Sequence, residues 1–281
     1  MSKLRSSEHA VFFGAYLGAM TAALALAGAW GWGLLFVAML GALARLARAR
    51  VESPGRRALM RECAFLAVAM NVSFQAMAFA VPAARQARYD ADLFVIDQRL
   101  FGGNASLRLE PWISPALTEI LSACYMFFIP LLFFGLVRYF FWRKDLLAPM
   151  YRGLFTIYGI GFLGYLLVPA AGPYLAYAGL FHVPLEGGVI TRWNAQMVHA
   201  GSNGVDVFPS LHCAVSAYLL GFSYRHDRRE FRFLLLPVIG LWVSTIYLRY
   251  HYLIDVLCGF ALALLGLAIA FAASVRREST S

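Results

Sequence analysis

Residues 249–274 read RYHYLIDVLCGFALALLGLAIAFAAS. From Tyr252 onward the stretch is apolar for the roughly 20 residues an α-helix needs to cross a bilayer. Its one carboxylate, Asp255, sits at the leading edge, four residues after His251. Residues four apart share a helix face, and a carboxylate that close fixes an imidazole's tautomer and raises its basicity. That is the equipment of an activated nucleophile. About forty residues earlier, Gly204-Val-Asp-Val-Phe-Pro-Ser-Leu-His212 leads into another apolar run. It puts Pro209 where a helix begins, with Ser210 and His212 in the opening turn, where free backbone N–H groups and the helix dipole favour an anion. Two histidines and a carboxylate placed where a membrane meets water point to histidine chemistry on a phosphate.

The rest of the chain has the same character. Of 281 residues, 61% are hydrophobic and only 14% charged, which is too little polar surface for a soluble globule. The expected fold is an all-α integral membrane protein with about eight transmembrane helices. Spanning runs lie near 10–28, 31–48, 63–82, 114–140, 149–169, 210–224, 232–249 and 252–274. The first two, divided only by Ala29-Trp30-Gly-Trp-Gly33, read as a tight hairpin, with one long interrupted helix as the alternative. The run at 210–224 is short, so its helix starts below the bilayer surface or sits among taller neighbours. The basic stretch Arg45–Arg61, with Pro54-Gly55, divides an N-terminal hairpin (1–62) from a six-helix core (63–281) and can meet anionic headgroups.

A net charge of +9 would suggest nucleic acid for a soluble protein. Here the distribution explains it. With eight spans and both termini cytoplasmic, all 24 Lys and Arg fall inside except Arg85, Arg88, Arg99, Arg108, Arg192 and Arg249. The positive-inside rule then places both histidine segments on the extracytoplasmic face, with a bacterial inner membrane as the expected location. The expected partners are membrane lipids and not nucleic acid; no pattern addresses oligomeric state. Cys63, Cys124, Cys213 and Cys258 lie in apolar runs at no metal-ligand spacing. No cleavable signal peptide is evident, because the first apolar run continues into a second span. Two segments on the histidine side stand out. Asp92–Phe101 within 83–113 reads as a short amphipathic helix on the membrane surface. The long 170–209 segment, rich in Gly, Tyr and Trp, reads as an ordered irregular cap. Tyr125-Met-Phe-Phe128 and Tyr139-Phe-Phe-Trp142 read as belt and packing residues.

Phe208-Pro-Ser-Leu-His212, followed by His251-Tyr-Leu-Ile-Asp255 at the head of the last span, resembles the second and third motifs of the type 2 phosphatidic acid phosphatase superfamily. Gly204-Val-Asp206-Val-Phe208 leading into Ser210-Leu-His212, with His251-Tyr-Leu-Ile-Asp-Val256, most resembles the inositol phosphorylceramide and sphingomyelin synthase branch. The resemblance implies a six-helix phosphatase-like core that works with no metal or cofactor. It implies that His251 attacks phosphorus to give a phosphohistidine and that Asp255 orients it. His212 would protonate the leaving alkoxide and then deprotonate the acceptor. The chain departs from the monoester phosphatases in its basic residues. Their Lys and Arg, seven apart and followed by Pro, correspond here to Lys144 and Arg152, eight apart, cytoplasmic by the topology above and followed by Gly153. Their Ser-Arg pair reads Ser244-Thr245. Missing cations favour a singly charged phosphodiester over a dianionic monoester. Arg249 is the leading substitute, able to grip phosphate oxygens bidentately, ahead of Arg192, Arg99 and Arg108. Asp206 caps the His212 helix or contacts a polar head group, and Ser210 donates to phosphate or caps.

The leading expectation is transfer of a phospho-head-group from a phospholipid to an alcohol acceptor. A lipid phosphate phosphatase using water is the alternative enzyme. A non-catalytic lipid-binding or transport protein is the third reading, with Glu119 the ionisable residue a transporter would use.

Overall fold

The computed structural model describes residues 8–278, with side chains from 10 to 272. Lys3, Arg5, both chain ends and the side chains of Arg276 and Arg277, all used in the charge argument, lie outside the described residues. Among the described residues the chain is helical throughout, with no strand. In order these helices are α1 (Glu8–Leu26), α2 (Trp30–Glu52), α3 (Arg56–Ala84), α4 (Asp90–Phe101), α5 (Ala105–Arg108), α6 (Pro115–Met126) and α7 (Phe128–Val137). There follow α8 (Leu147–Leu167), α9 (Pro173–Ala176), α10 (Val189–Gly201), α11 (Leu211–His226), α12 (Arg228–Tyr247) and α13 (Leu253–Glu278). A π-helical turn, Arg138–Trp142, continues α7.

Each of the eight expected apolar runs is helical. Among the described residues five helices are long and apolar enough to cross a membrane: α2, α3, α6 with α7 through Trp142, α12, and Leu253–Ala272 of α13. Ala10–Leu26 of α1 is a shorter apolar helix. At 1.5 Å per residue the 16-residue α11 is about 24 Å long, short of the roughly 30 Å hydrocarbon thickness. The first two runs are separate helices that pack together, parted at Gly28, whose φ of 74° suits a residue without Cβ.

The chain forms two compact units. One comprises residues 8–86, 137–167 and 264–278, where α1 packs on α8, α2 and α3. The α1–α8 approach needs a glycine, since a Cβ on Gly159 would lie 2.6 Å from the Phe12 carbonyl carbon. A buried ion pair, Arg50 Nη1 to Glu62 Oε2 at 2.7 Å, ties α2 to α3 across their turn.

The other unit, 87–136 and 168–263, carries both histidine segments. In it α12 packs against α6, α11 and α5, and α10 lies along α6. Carboxylates organise this unit. Asp90, the first residue of α4, and Asp97, about two turns further on, reach different backbones. Asp90 accepts from the N–H groups of Ala171 (3.0 Å) and Gly172 (2.9 Å) and from the Tyr252 hydroxyl (2.9 Å). Asp97 accepts from Leu253 N–H (2.8 Å) and Ile254 N–H (2.9 Å), and so caps the start of α13. The short amphipathic helix is thus present, beginning two residues earlier than expected, and it clamps the His251 segment.

The 170–209 segment is more regular than its composition suggests. It holds α9, a 3-10 turn at Ala178–Leu180 and the 13-residue α10. No neighbouring side chain caps α10, which begins after Gly188. Glu119 on α6 does so instead, accepting from Gly188 N–H (2.6 Å), Ile190 N–H (2.9 Å), Thr191 N–H (3.0 Å) and Thr191 Oγ1 (2.7 Å). The residue singled out for transport is a helix cap.

Because Asp97 is buried and satisfies two N–H groups that otherwise have no intrahelical partner, Asp97→Ala should lower stability by about 1–2 kcal/mol. Asp97→Asn, which keeps one acceptor oxygen, should lose less. Thermal unfolding of the detergent-solubilised protein measures this, and an unchanged midpoint for Asp97→Ala would contradict the clamp.

Candidate active site

The site is built where α12 ends. Arg249 N–H donates to Ile246 O (3.0 Å) and Tyr250 N–H to Thr245 O (3.0 Å), the paired bonds of a Schellman turn. Such a turn puts its second-last residue in the left-handed region, and Arg249, second-last of Thr245–Tyr250, has φ 67°. Glycine is the usual occupant; an arginine there carries strain on the order of 1 kcal/mol. The side chain accounts for the choice. Arg249 Nη2 donates to Glu110 Oε1 at 3.2 Å and to the Val183 carbonyl, and the guanidinium lies 4.1 Å over the Phe181 ring. Glu110 also accepts from His182 N–H (2.9 Å) and Val183 N–H (3.2 Å). The Arg249 backbone carbonyl accepts from Tyr174 N–H at 2.8 Å.

This turn delivers His251, whose own N–H donates to Thr245 O at 3.0 Å. His251 precedes α13 instead of lying on it, yet the four-residue spacing still works. His251 Nδ1 is 2.9 Å from Asp255 Oδ2, with both side chains buried. The other ring nitrogen, Nε2, is 3.4 Å from Ser210 Oγ. Ser210 is the cap of α11, accepting from Cys213 N–H, and its own N–H donates to Asp255 O at 3.0 Å. The two motifs are therefore joined by backbone. The join is tight: a Cβ on Gly259 would lie 2.5 Å from Ser210 O. Capping, one of the two readings of Ser210, is what the geometry displays, and α11 begins at Leu211 instead of Pro209.

His212 faces its partner with ring centroids 5.5 Å apart. Its ring is flanked by Tyr125 (4.8 Å, stacked) and Phe128 (4.3 Å), and its Nδ1 is buried without a hydrogen-bond partner. The aromatic stretch read as belt and packing thus holds the second histidine. Asp206 does not cap α11. Its Oδ1 accepts from Ser202 Oγ at 3.1 Å, and burial holds its carboxyl above the usual carboxylate range, with the Ser202 bond and nearby His251 pulling the other way. Among the basic residues expected to hold phosphate, Arg249 is committed to Glu110, Arg192 and Arg99 are exposed, and Arg108 donates to Gly102 O at 2.7 Å at the end of α4. Thr245 is buried in α12 and bonds to Trp242 O. Asn194, Tyr250 and Glu110 were not singled out by sequence. The carboxylate and amide roles depend on partners between 56 and 139 residues away.

The arrangement of two facing imidazoles, one oriented by a buried carboxylate, fits a group-transfer enzyme working on a lipid phosphate. The profile of the PAP2 superfamily matches residues 91–269, and the chain belongs to this family of lipid phosphotransferases and phosphatases. It is an integral membrane protein. Over 159 residues it is 30% identical to a phosphoinositol dihydroceramide synthase of Bacteroides thetaiotaomicron, a match covering 50% of this chain and 52% of that protein. The chain thus spans about half the length of that relative. No solved structure matches.

Arg249 can be tested as a positioning residue. Arg249→Gly suits the turn but leaves Glu110 charged and unpaired, which should cost about 3 kcal/mol. Adding Glu110→Gln removes the stranded charge and keeps an acceptor for His182 and Val183. The double variant should regain most of the thermal stability and much of the turnover. If Arg249 acts by gripping phosphate, the double variant will be as inactive as the single one.

Proposed function

We propose that the protein transfers a phospho-head-group from a membrane phospholipid to a lipid alcohol through a phosphohistidine on His251. The observation that carries this is the buried His251–Asp255 pair at 2.9 Å with the His212 ring 5.5 Å away. Asp255 holds the proton on Nδ1 and leaves Nε2 as the nucleophile. Nε2 attacks phosphorus, the bond to the diacylglycerol oxygen breaks, and His212 gives that oxygen its proton. The carboxylate stabilises the cationic phosphohistidine ring. His212, now neutral, removes the proton of the acceptor hydroxyl. The acceptor oxygen bonds to phosphorus and the P–Nε2 bond breaks, restoring His251.

Charge supports a diester donor. Asp255 and Asp206 both lie close to His251, while the nearest fixed guanidinium in the same turn is neutralised by Glu110. The start of α11 offers a partial positive charge. Such a site suits one negative charge better than two. The acceptor class follows the similar protein, named for a dihydroceramide: an N-acyl amino alcohol.

Activity assays on purified protein in detergent test the reading. His251→Ala should abolish turnover, and His212→Ala should slow it by about 10²–10⁴-fold. Initial rates on a phosphatidyl diester with an alcohol acceptor should exceed those on phosphatidic acid with water. Faster monoester hydrolysis, with added alcohols never entering product, would make the protein a phosphatase.

The positive-inside count also predicts that the site faces away from the cytoplasm. In intact cells a cysteine replacing Gly179, which is exposed with open space around it, should react with an impermeant thiol reagent. One replacing Arg229, in the first turn of α12, should not. The reverse pattern would move the site to the cytoplasmic face.

A further inference from the structure

Helix α10 has two unlike faces. Val189, Trp193 and Met197, spaced by four, are 51%, 59% and 54% exposed. Thr191 and Asn194 are buried on the other side. Thr191 is bound by Glu119 near the start of α6, so α10 lies alongside the first turns of that span. An apolar stripe at that level, carrying a tryptophan, suits the interfacial zone of a leaflet. A molecule that reaches the buried side of α10 from the leaflet is a lipid.

Asn194 is the one polar group on that buried side whose bonding is incomplete. Its Nδ2 donates to the Tyr250 hydroxyl at 2.9 Å. Its Oδ1 is buried without a hydrogen-bond partner, in a residue only 2% exposed. Buried side-chain acceptors are nearly always paired, and an exception calls for a partner. The surroundings say where that partner belongs. Tyr250 adjoins His251 in sequence, and its ring packs on Tyr125 (4.6 Å) and Tyr174 (5.2 Å). Tyr125 in turn stacks on His212 at 4.8 Å. Two aromatic rings separate the Asn194 amide from the histidine that would take the acceptor's proton.

We propose that Asn194, held by Tyr250, is the specificity residue for the acceptor lipid: its Oδ1 accepts a hydrogen bond from an N–H or second O–H near the reacting hydroxyl. This rests on the transferase reading above. An amide oxygen accepts and cannot donate. It therefore reads the alcohol and not the phosphodiester, whose non-bridging oxygens are themselves acceptors. An N-acyl amino alcohol offers such a donor and a diacylglycerol, with only ester groups beside its reacting hydroxyl, does not.

The test pairs these two lipids, matched in chain length, as competing acceptors with one phospholipid donor. The unsubstituted protein should prefer the N-acyl amino alcohol by about 10-fold, the usual effect of one hydrogen bond to a buried group. Asn194→Leu should bring the two rates to within about 2-fold. Asn194→Asp, which keeps an acceptor at the same position, should retain most of the preference. An Asn194→Leu protein with unchanged thermal midpoint and full preference would overturn the proposal, as would equal loss in Leu and Asp. A binding arm stands apart from turnover. In His251→Ala protein, the radiolabelled N-acyl amino alcohol should bind about 10-fold more weakly once Asn194→Leu is added. If only water serves as acceptor, the transferase reading fails while this binding comparison still decides the role of Asn194: weaker binding supports it and unchanged binding overturns it.

Discussion

The histidine segment is held by hydrogen bonds from backbone N–H groups to the carboxylates of α4. Asp97 takes the first N–H groups of α13, and Asp90 takes those of Ala171 and Gly172 together with the Tyr252 hydroxyl. Buried backbone N–H groups away from water need partners within the protein. The loops between Pro169 and Ser210 and the turn from Leu248 to Tyr252 hold such groups outside helices, and much of their pairing goes to three carboxylates, Asp90, Glu110 and Glu119. Glu110 serves residues 182, 183 and 249, and Glu119 serves the start of α10. A carboxylate at a helix start meets both its orphan donors and its positive dipole end. Asp97 shows the balance: burial raises its pKa, and the two N–H bonds oppose that rise.

This use of acid has an electrostatic consequence for the chemistry. Arg249, two residues before the proposed nucleophile, is committed to Glu110 and stacked on Phe181, so it shapes the turn more than it adds charge to the site. Its left-handed backbone is tolerated because the ion pair and the Schellman bonds over-determine it. The site is left with two imidazoles, carboxylates and a helix start. Those groups suit a substrate whose phosphate is already esterified twice.

What could be read from sequence was what depends on near neighbours. Each of the eight apolar runs is helical, the one at 114–140 as α6 followed by α7, and the four-residue spacing of His251 and Asp255 matches their 2.9 Å contact. The same contact forms with His251 outside the helix, because the turn before α13 keeps the imidazole over its first turn. What could not be read was every feature whose partner is remote. Helix α10 has no local cap to announce it, since Glu119 lies some seventy residues earlier in the chain. Asp90, Asp97 and Glu110 look like ordinary surface acids until the fold brings backbone donors to them. Tyr125 and Phe128 have the composition of a membrane belt, and only the packing of the end of α6 and the start of α7 shows that they enclose His212.

The two histidines differ in a way that fits their proposed work. His251 Nδ1 is paired with Asp255, which in the proposed reaction sets its tautomer and leaves Nε2, 3.4 Å from Ser210 Oγ, as the attacking nitrogen. His212 is held by ring faces instead of hydrogen bonds, and its Nδ1 has no partner to commit its tautomer. Stacking fixes the plane of an imidazole without fixing its proton. A nucleophile needs one reliable lone pair, whereas a group that protonates one alkoxide and then deprotonates another alcohol must change protonation state twice in each cycle. Giving His212 a carboxylate partner would stabilise its charged form and slow the return of that proton. The asymmetry of partners therefore suits a reaction in which one histidine carries phosphorus and the other carries only the proton.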